Sequence, residues 1–245
     1  CLMMKYLRNW IRCCVLALCL FTIPLHAADD GDLSVAEGER CNDRLIVPGE
    51  RVGPINWQTT FEDLVACFGR DQVVVDQINT GEGDTELGVV VFPKDPEKRL
   101  DIVWRYPEEQ RWPSEISIYG TKSEWKTKEG VTLGTTLREL EVLNTMPFHL
   151  VGFGHDWSGV VVDRGKGSLT LLGLPEGEHD SARRWPIAIA LLPDYSRNGE
   201  TELGHRRQVA GDAAFSSGHP AMQALAPKVA WICVSIFKTA VEAKE

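Results

Sequence analysis

The chain has 245 residues, with 26 lysines and arginines against 35 aspartates and glutamates, which gives a formal net charge of −9. Such an acidic balance disfavours polyanionic partners, so we expect neither nucleic acid nor an anionic membrane surface to bind this protein. Hydrophobic residues make up 43% of the sequence, which is enough to bury the core of one large domain or of two small ones.

The first predicted element is a cleavable signal peptide over residues 1–28. An apolar run over 13–25 follows three cations and precedes two small residues suited to signal peptidase; the cations are Lys5, Arg8 and Arg12. The run is shorter than the about 20 residues of a membrane-spanning helix, so we expect no stable membrane span after cleavage. The sequence therefore predicts a periplasmic or secreted protein, with an uncleaved signal anchor as the alternative. Cleavage would leave 23 cations against 35 acids, a net charge of −12.

Three cysteines remain beyond this segment, namely Cys41, Cys67 and Cys233. An oxidising compartment permits one disulfide among them. We favour a bridge between Cys41 and Cys67, because it would pin an irregular lead-in segment to the first helix, whereas Cys233 lies within an apolar run. The alternative is that all three are buried thiols that behave as small hydrophobic side chains.

A first α/β-meander unit is predicted over residues 45–128, after a loose acidic mature N-terminus over 29–44. Its helix spans 61–68, with Thr60 as N-cap and Asp63 three residues later, and Gly69 ends it. Four β-branched or aromatic runs follow, separated by turn residues, and they predict an antiparallel meander. These strands are expected at 73–78, 87–92, 100–105 and 114–119.

A second α/β-meander unit with a C-terminal strand is predicted over 129–245. Thr136 and Glu139 form a capping box at the start of an amphipathic helix, which a glycine-rich and aromatic loop connects to the next strands. The expected elements after this helix are strands at 149–153, 158–163, 169–174 and 187–192, a short helix at 220–225, and a closing strand at 228–238.

The two units resemble each other. Aligning Thr60 with Thr136 aligns both capping motifs, and the hexapeptide GDTELG at 83–88 is matched by GETELG at 199–204. The spacing from cap to hexapeptide differs, 23 residues against 63, so an insertion or a chance match stays open. The predicted fold class is α+β, mainly antiparallel sheet with two principal short helices. We expect a tandem α-then-β-meander repeat, in two domains or one compact domain.

No complete catalytic motif occurs: S-x-x-K appears at 123–126 and 235–238, but without the partner motifs of the penicillin-binding enzymes. Two His-Asp dipeptides occur, at 155–156 and 179–180, but neighbouring side chains on a strand point to opposite faces, which prevents one from orienting the other. The sequence contains no G-x-S-x-G, no C-x-x-C and no calcium-loop spacing. We therefore expect no catalytic residue, no cofactor and no bound metal.

Aromatic residues are the feature that points to a function. Tyrosine and tryptophan are favoured at interfaces and at sugar-binding surfaces, because each combines an apolar body with a polar group. The residues expected to form an interaction surface are Trp104, Trp112, Trp125 and Trp157. Among them Trp112, in a loop between Arg111 and Pro113, is the one most expected to face outward.

The chain resembles an uncharacterised family of exported bacterial proteins. The residues that carry the resemblance are Val52-Gly53-Pro54-Ile55, Thr60, Asp63-Leu64, Phe68-Gly69, Gly81-Glu82-Gly83, Phe92-Pro93, Ile102, Trp104, Gly134, Leu137, Leu140, Asn144, Pro147-Phe148, Gly152-Phe153-Gly154, Trp157 and Gly159. The resemblance covers residues 41–237. It supplies no activity and no catalytic residue that could be assigned to this chain.

In architecture alone, the helix-then-sheet units are similar to the beta-lactamase inhibitor protein and to the small outer-membrane assembly lipoproteins, a likeness that favours binding. The predicted function is a non-catalytic binding or interaction module in the cell envelope, with a protein or glycan as partner. The alternative is an envelope hydrolase that acts on glycan or peptide.

Overall fold

The protein folds as an α+β structure, mostly of antiparallel sheet. The computed structural model describes residues 38–81, 83–155, 157–163, 167–168, 186–197 and 199–238. The predicted signal peptide, the predicted strand at 169–174 and the dipeptide at 179–180 lie outside these residues, as does the acidic segment before residue 38. The described residues belong to one compact unit.

Strands dominate the described residues. In chain order they are β1 (Leu45–Val47), β2 (Arg51–Val52), β3 (Ile55–Asn56), β4 (Val73–Gly81), β5 (Asp84–Val91), β6 (Leu100–Tyr106), β7 (Arg111–Tyr119), β8 (Lys126–Thr127), β9 (His149–Val151), β10 (Val161–Asp163), β11 (Ile187–Leu192), β12 (Ala214–Ser216) and β13 (Lys228–Ser235). The helices are α1 (Phe61–Phe68), α2 (Leu137–Asn144), α3 (Glu200–Gln208) and α4 (Pro220–Leu225), with a short 3₁₀ turn at Arg70–Gln72.

Both principal helices begin at the predicted capping boxes. Thr60 accepts a hydrogen bond from the backbone N–H of Asp63, whose carboxylate accepts in return from the backbone N–H of Thr60. Thr136 and Glu139 repeat the exchange at the start of α2. Each box satisfies two backbone donors that a helix end leaves unpaired, which fixes where the chain turns into a helix.

The central feature is a six-stranded antiparallel sheet with the strand order β11-β13-β7-β6-β5-β4. The meander β4 to β7 supplies one half, as the sequence predicts. The last strand, β13, lies between β7 and β11 and pairs with both. A four-stranded sheet, β3-β2-β1-β8, and a three-stranded sheet, β10-β9-β12, lie beside it.

One hydrophobic core joins these parts. Alternation along β6 and β7 places Ile102 and Ile116 on the buried face of the sheet. Leu64 of α1 and Leu140 of α2 belong to the same cluster, together with Met222 of α4. The helices therefore cover the sheet through a shared core, as expected for the α+β class.

The predicted tandem repeat is not shown. The hexapeptide at 83–88 contributes to strand β5, whereas its counterpart at 199–204 lies mainly in helix α3. Acidic residues at the start of α3 and basic residues near its end favour a helix through the helix dipole. Flanking residues therefore decide the structure of these two nearly identical segments.

A disulfide joins Cys41 to Cys67, with their Cα atoms 5.4 Å apart. It connects the helical turn at 38–41 to α1, which is the pairing that the sequence favours. Cys233 lies buried in β13, outside the disulfide. Within the residues described, no helix is long and apolar enough to cross a bilayer.

Loss of this bridge is expected to cost about 3 kcal/mol of unfolding free energy, because it closes a loop with a sequence separation of 26 residues. The measurement is urea unfolding of the double variant Cys41→Ser/Cys67→Ser against the oxidised parent. Reduction of the parent should produce the same loss without any substitution. A change below about 1 kcal/mol would show that the bridge contributes little.

Candidate interaction surface

Two of the four tryptophans predicted for an interaction surface are core residues, and this corrects the prediction. Trp104 is 2% exposed and Trp125 is 0% exposed. Trp104 follows Ile102 by two residues on β6, so strand alternation turns both into the core. The indole N–H of Trp125 donates to the carbonyl oxygen of Lys98 at 2.8 Å. Neither ring is available to a partner.

The other two reach the surface to different degrees. Trp157 is 56% exposed and Trp112 is half-buried. Trp112 lies in an aromatic cluster that we define as Trp57, Tyr106 and Trp112 with the cations Arg111 and Lys238. The structure therefore places Trp112 in a cluster with residues distant in sequence, whereas Trp157 lies on a separate loop.

The rings of the aromatic cluster meet edge to face. The centroid of Trp112 lies 5.9 Å from that of Trp57 and 5.1 Å from that of Tyr106. The guanidinium carbon of Arg111 lies 5.0 Å from the Tyr106 ring and 5.1 Å from the Trp112 ring. The ammonium of Lys238 lies 5.0 Å from the Trp57 ring. Cation–π attraction therefore adds to aromatic packing in holding the cluster together.

An unusual backbone positions Trp112. The φ angles of Gln110 and Trp112 are 49° and 59°, in the left-handed region that costs a side-chain-bearing residue about 1 to 2 kcal/mol. Two hydrogen bonds to the segment before α1 hold this conformation. The N–H of Trp112 donates to Thr59 O at 3.1 Å, and Gln110 O accepts from the N–H of Phe61 at 3.0 Å. Strained residues of this kind concentrate at functional sites.

The cluster offers unused hydrogen-bond donors. Among the described residues, no carboxylate pairs with Arg111, and the indole N–H of Trp112 and the hydroxyl of Tyr106 have no hydrogen-bond acceptor. Tyr106 is 38% exposed and Arg111 is exposed. The arrangement can bind a ligand by apolar contact at the ring edges and by charge-assisted hydrogen bonds from the guanidinium. It contains no histidine, cysteine or carboxylate side chain.

The glycine-rich loop before β10 holds His155 as a structural residue. Its Nε2 lies 2.7 Å from Gly211 O, which can only accept, so Nε2 carries the proton. Its Nδ1 accepts from the backbone N–H of Trp157 at 3.4 Å. The hydroxyl of Ser158 accepts from the N–H groups of Gly154 and His155, each at 3.0 Å. These bonds fix the loop with Trp157 outward.

Sequence reasoning missed the role of Trp57 and Lys238 in the cluster. Trp57 lies before α1 and Lys238 follows β13, so neither carries a local pattern that indicates contact with Trp112. In the part of the chain that the structure covers, no three His, Cys, Asp or Glu side chains are grouped to hold a metal ion.

Comparison with protein-family models, with curated proteins and with solved structures finds no match to this chain.

Proposed function

We propose that the protein is a non-catalytic binding module of the bacterial envelope that engages a protein partner through the aromatic cluster. The observation that carries the proposal is the contact of Trp57, Tyr106 and Trp112 around Arg111 on a strained, hydrogen-bonded turn. Tryptophan, tyrosine and arginine are the residue types that dominate binding energy at protein interfaces.

Pre-organisation supports this role. The three rings fix each other by edge-to-face contact, and Thr59 holds the backbone of Trp112. A partner that binds such a surface does not have to order it first, so less of the binding energy is lost to side-chain entropy.

A protein suits this surface better than a glycan. Sugars pack against the faces of aromatic rings, but Arg111 covers one face of Tyr106 and of Trp112, and Lys238 covers one face of Trp57. The cluster also offers a partner ring edges, a hydroxyl, an indole N–H and a guanidinium. Those groups match the mixed apolar and acidic surface of a protein.

The Cys41–Cys67 disulfide supports an envelope location, because disulfides persist in oxidising compartments and are rare in the cytosol. It agrees with the predicted export without depending on the signal peptide.

A hydrolase is the alternative, and the contacts of His155 and His219 give it no support. Both ring nitrogens of His155 are held by backbone groups, and Nδ1 of His219 accepts from the N–H of Ala221 at 3.2 Å. A general base needs a nitrogen that can reach a substrate proton. We therefore assign a structural role to His155 and His219.

Substitution of Trp112 is expected to weaken partner binding, while its effect on stability depends on the residue introduced. Both Trp112→Gly and Trp112→Ala remove the ring and should weaken binding by about 2 kcal/mol or more, roughly thirtyfold. Glycine adopts a φ of 59° without strain, whereas alanine does not. The free energy of unfolding of Trp112→Gly, measured in urea, should therefore exceed that of Trp112→Ala by about 1 kcal/mol.

The experiment captures proteins from a bacterial envelope extract on the protein and on Trp112→Gly, and then measures the affinity of each Trp112-dependent protein by calorimetry. Trp157→Ala is the control, because it removes an exposed ring outside the cluster. Equal capture by Trp112→Gly and by the parent would contradict the proposal. Trp112-dependent sugar binding on a glycan array would show instead that the partner is a glycan.

A further inference from the structure

A second candidate site is a cleft of about 1300 Å³ where four elements meet around the start of β13. Lys228 pairs with Leu192 at the end of β11, and the N–H of Gly120 after β7 donates to Ala230 O at 3.1 Å. The loop before α2 closes the third side, where Val229 O accepts from Gly134 N–H at 2.8 Å. The cleft does not include the aromatic cluster.

The cleft has apolar walls. Leu133 and Val229 are buried beneath it, and Pro193 and Leu143 line it. Val142 of α2 lies at the same cleft with 77% of its surface exposed. A ligand with apolar side chains would remove this surface from water, which is favourable.

Three cations line the cleft, and none is in salt-bridge contact with a described carboxylate. Lys122, Arg138 and Lys228 form no ion pair with any described carboxylate. Arg138 Nε donates to the neutral amide oxygen of Gln223 at 3.0 Å. The cleft carries three cations against two acids, a positive excess of one in a chain with a net charge of −9.

The two acids of the cleft are already engaged. Glu139 accepts from the N–H and the hydroxyl of Thr136, each at 2.8 Å, and these bonds lower its pKa. Asp194 accepts from the hydroxyl of Ser196 at 2.6 Å and from its N–H at 3.0 Å, which lowers the pKa of that carboxyl. Each carboxylate therefore has hydrogen-bond donors of its own, and the charge of Lys228 also contributes to lowering the pKa of both. Lys122 and Arg138 have no carboxylate partner among the described residues.

We propose that this cleft binds an extended acidic peptide, with apolar side chains against Leu133 and Pro193 and carboxylates at Lys122, Arg138 and Lys228. The cleft is larger than the roughly 300 to 1000 Å³ of a small-molecule pocket, so its volume suits a peptide of several residues. Alternate side chains of an extended peptide point to opposite sides, so apolar and acidic residues can reach the wall and the cations.

The test uses a fluorescent octapeptide of alternating aspartate and leucine, with anisotropy as the readout on the whole protein. We expect binding that weakens as salt is raised, and about tenfold weaker binding to Lys228→Gln and to Arg138→Gln. Lys228→Arg keeps the charge and should bind like the parent. The matched control is Lys94→Gln, an exposed lysine outside the cleft. All of these side chains are exposed, so the variants should fold.

Three results would overturn the proposal: equal affinity for a matched asparagine–leucine peptide, unchanged binding by both cleft variants, or an equal loss in Lys94→Gln. Trp112→Gly should bind the acidic peptide like the parent. This variant tests the cleft separately from the aromatic cluster, so either proposal can be contradicted without affecting the other.

Discussion

Replacing Trp125 with alanine is expected to lower the free energy of unfolding by about 4 kcal/mol. The ring is fully buried, and the guanidinium carbon of Arg44 lies 4.8 Å from its centroid. The neighbouring chain fits closely around it, because a Cβ added to Gly53 would lie 2.7 Å from the Trp125 ring. The substitution leaves a large cavity and also removes the donor to Lys98 O. Urea unfolding followed by circular dichroism measures the loss.

Trp157→Ala is the matched comparison, since it removes the same side chain from an exposed site. Its expected effect is within about 0.5 kcal/mol, because a surface substitution creates no cavity. If the two variants unfolded at the same urea concentration, Trp125 would not be the core residue described here.

Gly159→Ala is expected to destabilise the fold by more than about 3 kcal/mol, or to prevent folding. A Cβ at this position would lie 1.7 Å from the carbonyl oxygen of Leu191, and the φ of +70° disfavours alanine. The backbone cannot easily move away. The N–H of Gly159 donates to Val151 O at 3.1 Å, and Gly159 O accepts from the N–H of Leu191 at 3.0 Å.

Gly154→Ala separates the two causes. Gly154 also has a positive φ, +96°, but no atom lies within 4 Å of its added Cβ. Only the conformational cost applies there, about 1 to 2 kcal/mol. Thermal unfolding of both variants checks the difference, and equal melting temperatures would show that the close approach to Leu191 does not matter.

Short sequence patterns predicted the helices and strands whose structure depends on neighbouring residues. The helix at Phe61–Phe68 follows from Thr60 and Asp63, whose side chains satisfy backbone donors within the same turn. The strand at Ile187–Leu192 and the helix at Pro220–Leu225 also have the predicted bounds. Each depends on residues within about one turn or one strand, so the sequence alone is sufficient.

The prediction that Trp104 and Trp125 are exposed was wrong, because burial depends on the direction in which each side chain points. The alternation along β6 already placed Trp104 on the same face as Ile102, so this signal was available in the sequence. Trp125 follows a loop, where no period indicates which side is buried. The contact of Trp57 with Trp112 depends on how the segment before α1 docks on the β6–β7 turn, and no short-range pattern specifies that docking.

The strand order of the large sheet also determines when it can form during synthesis. The strand β13, at Lys228–Ser235, lies between β7 and β11, although it comes after every other strand described. A nascent chain that ends before Lys228 leaves β7 with an unpaired edge, and an open edge invites pairing with other chains. The sheet is therefore completed only after the last strand has left the ribosome.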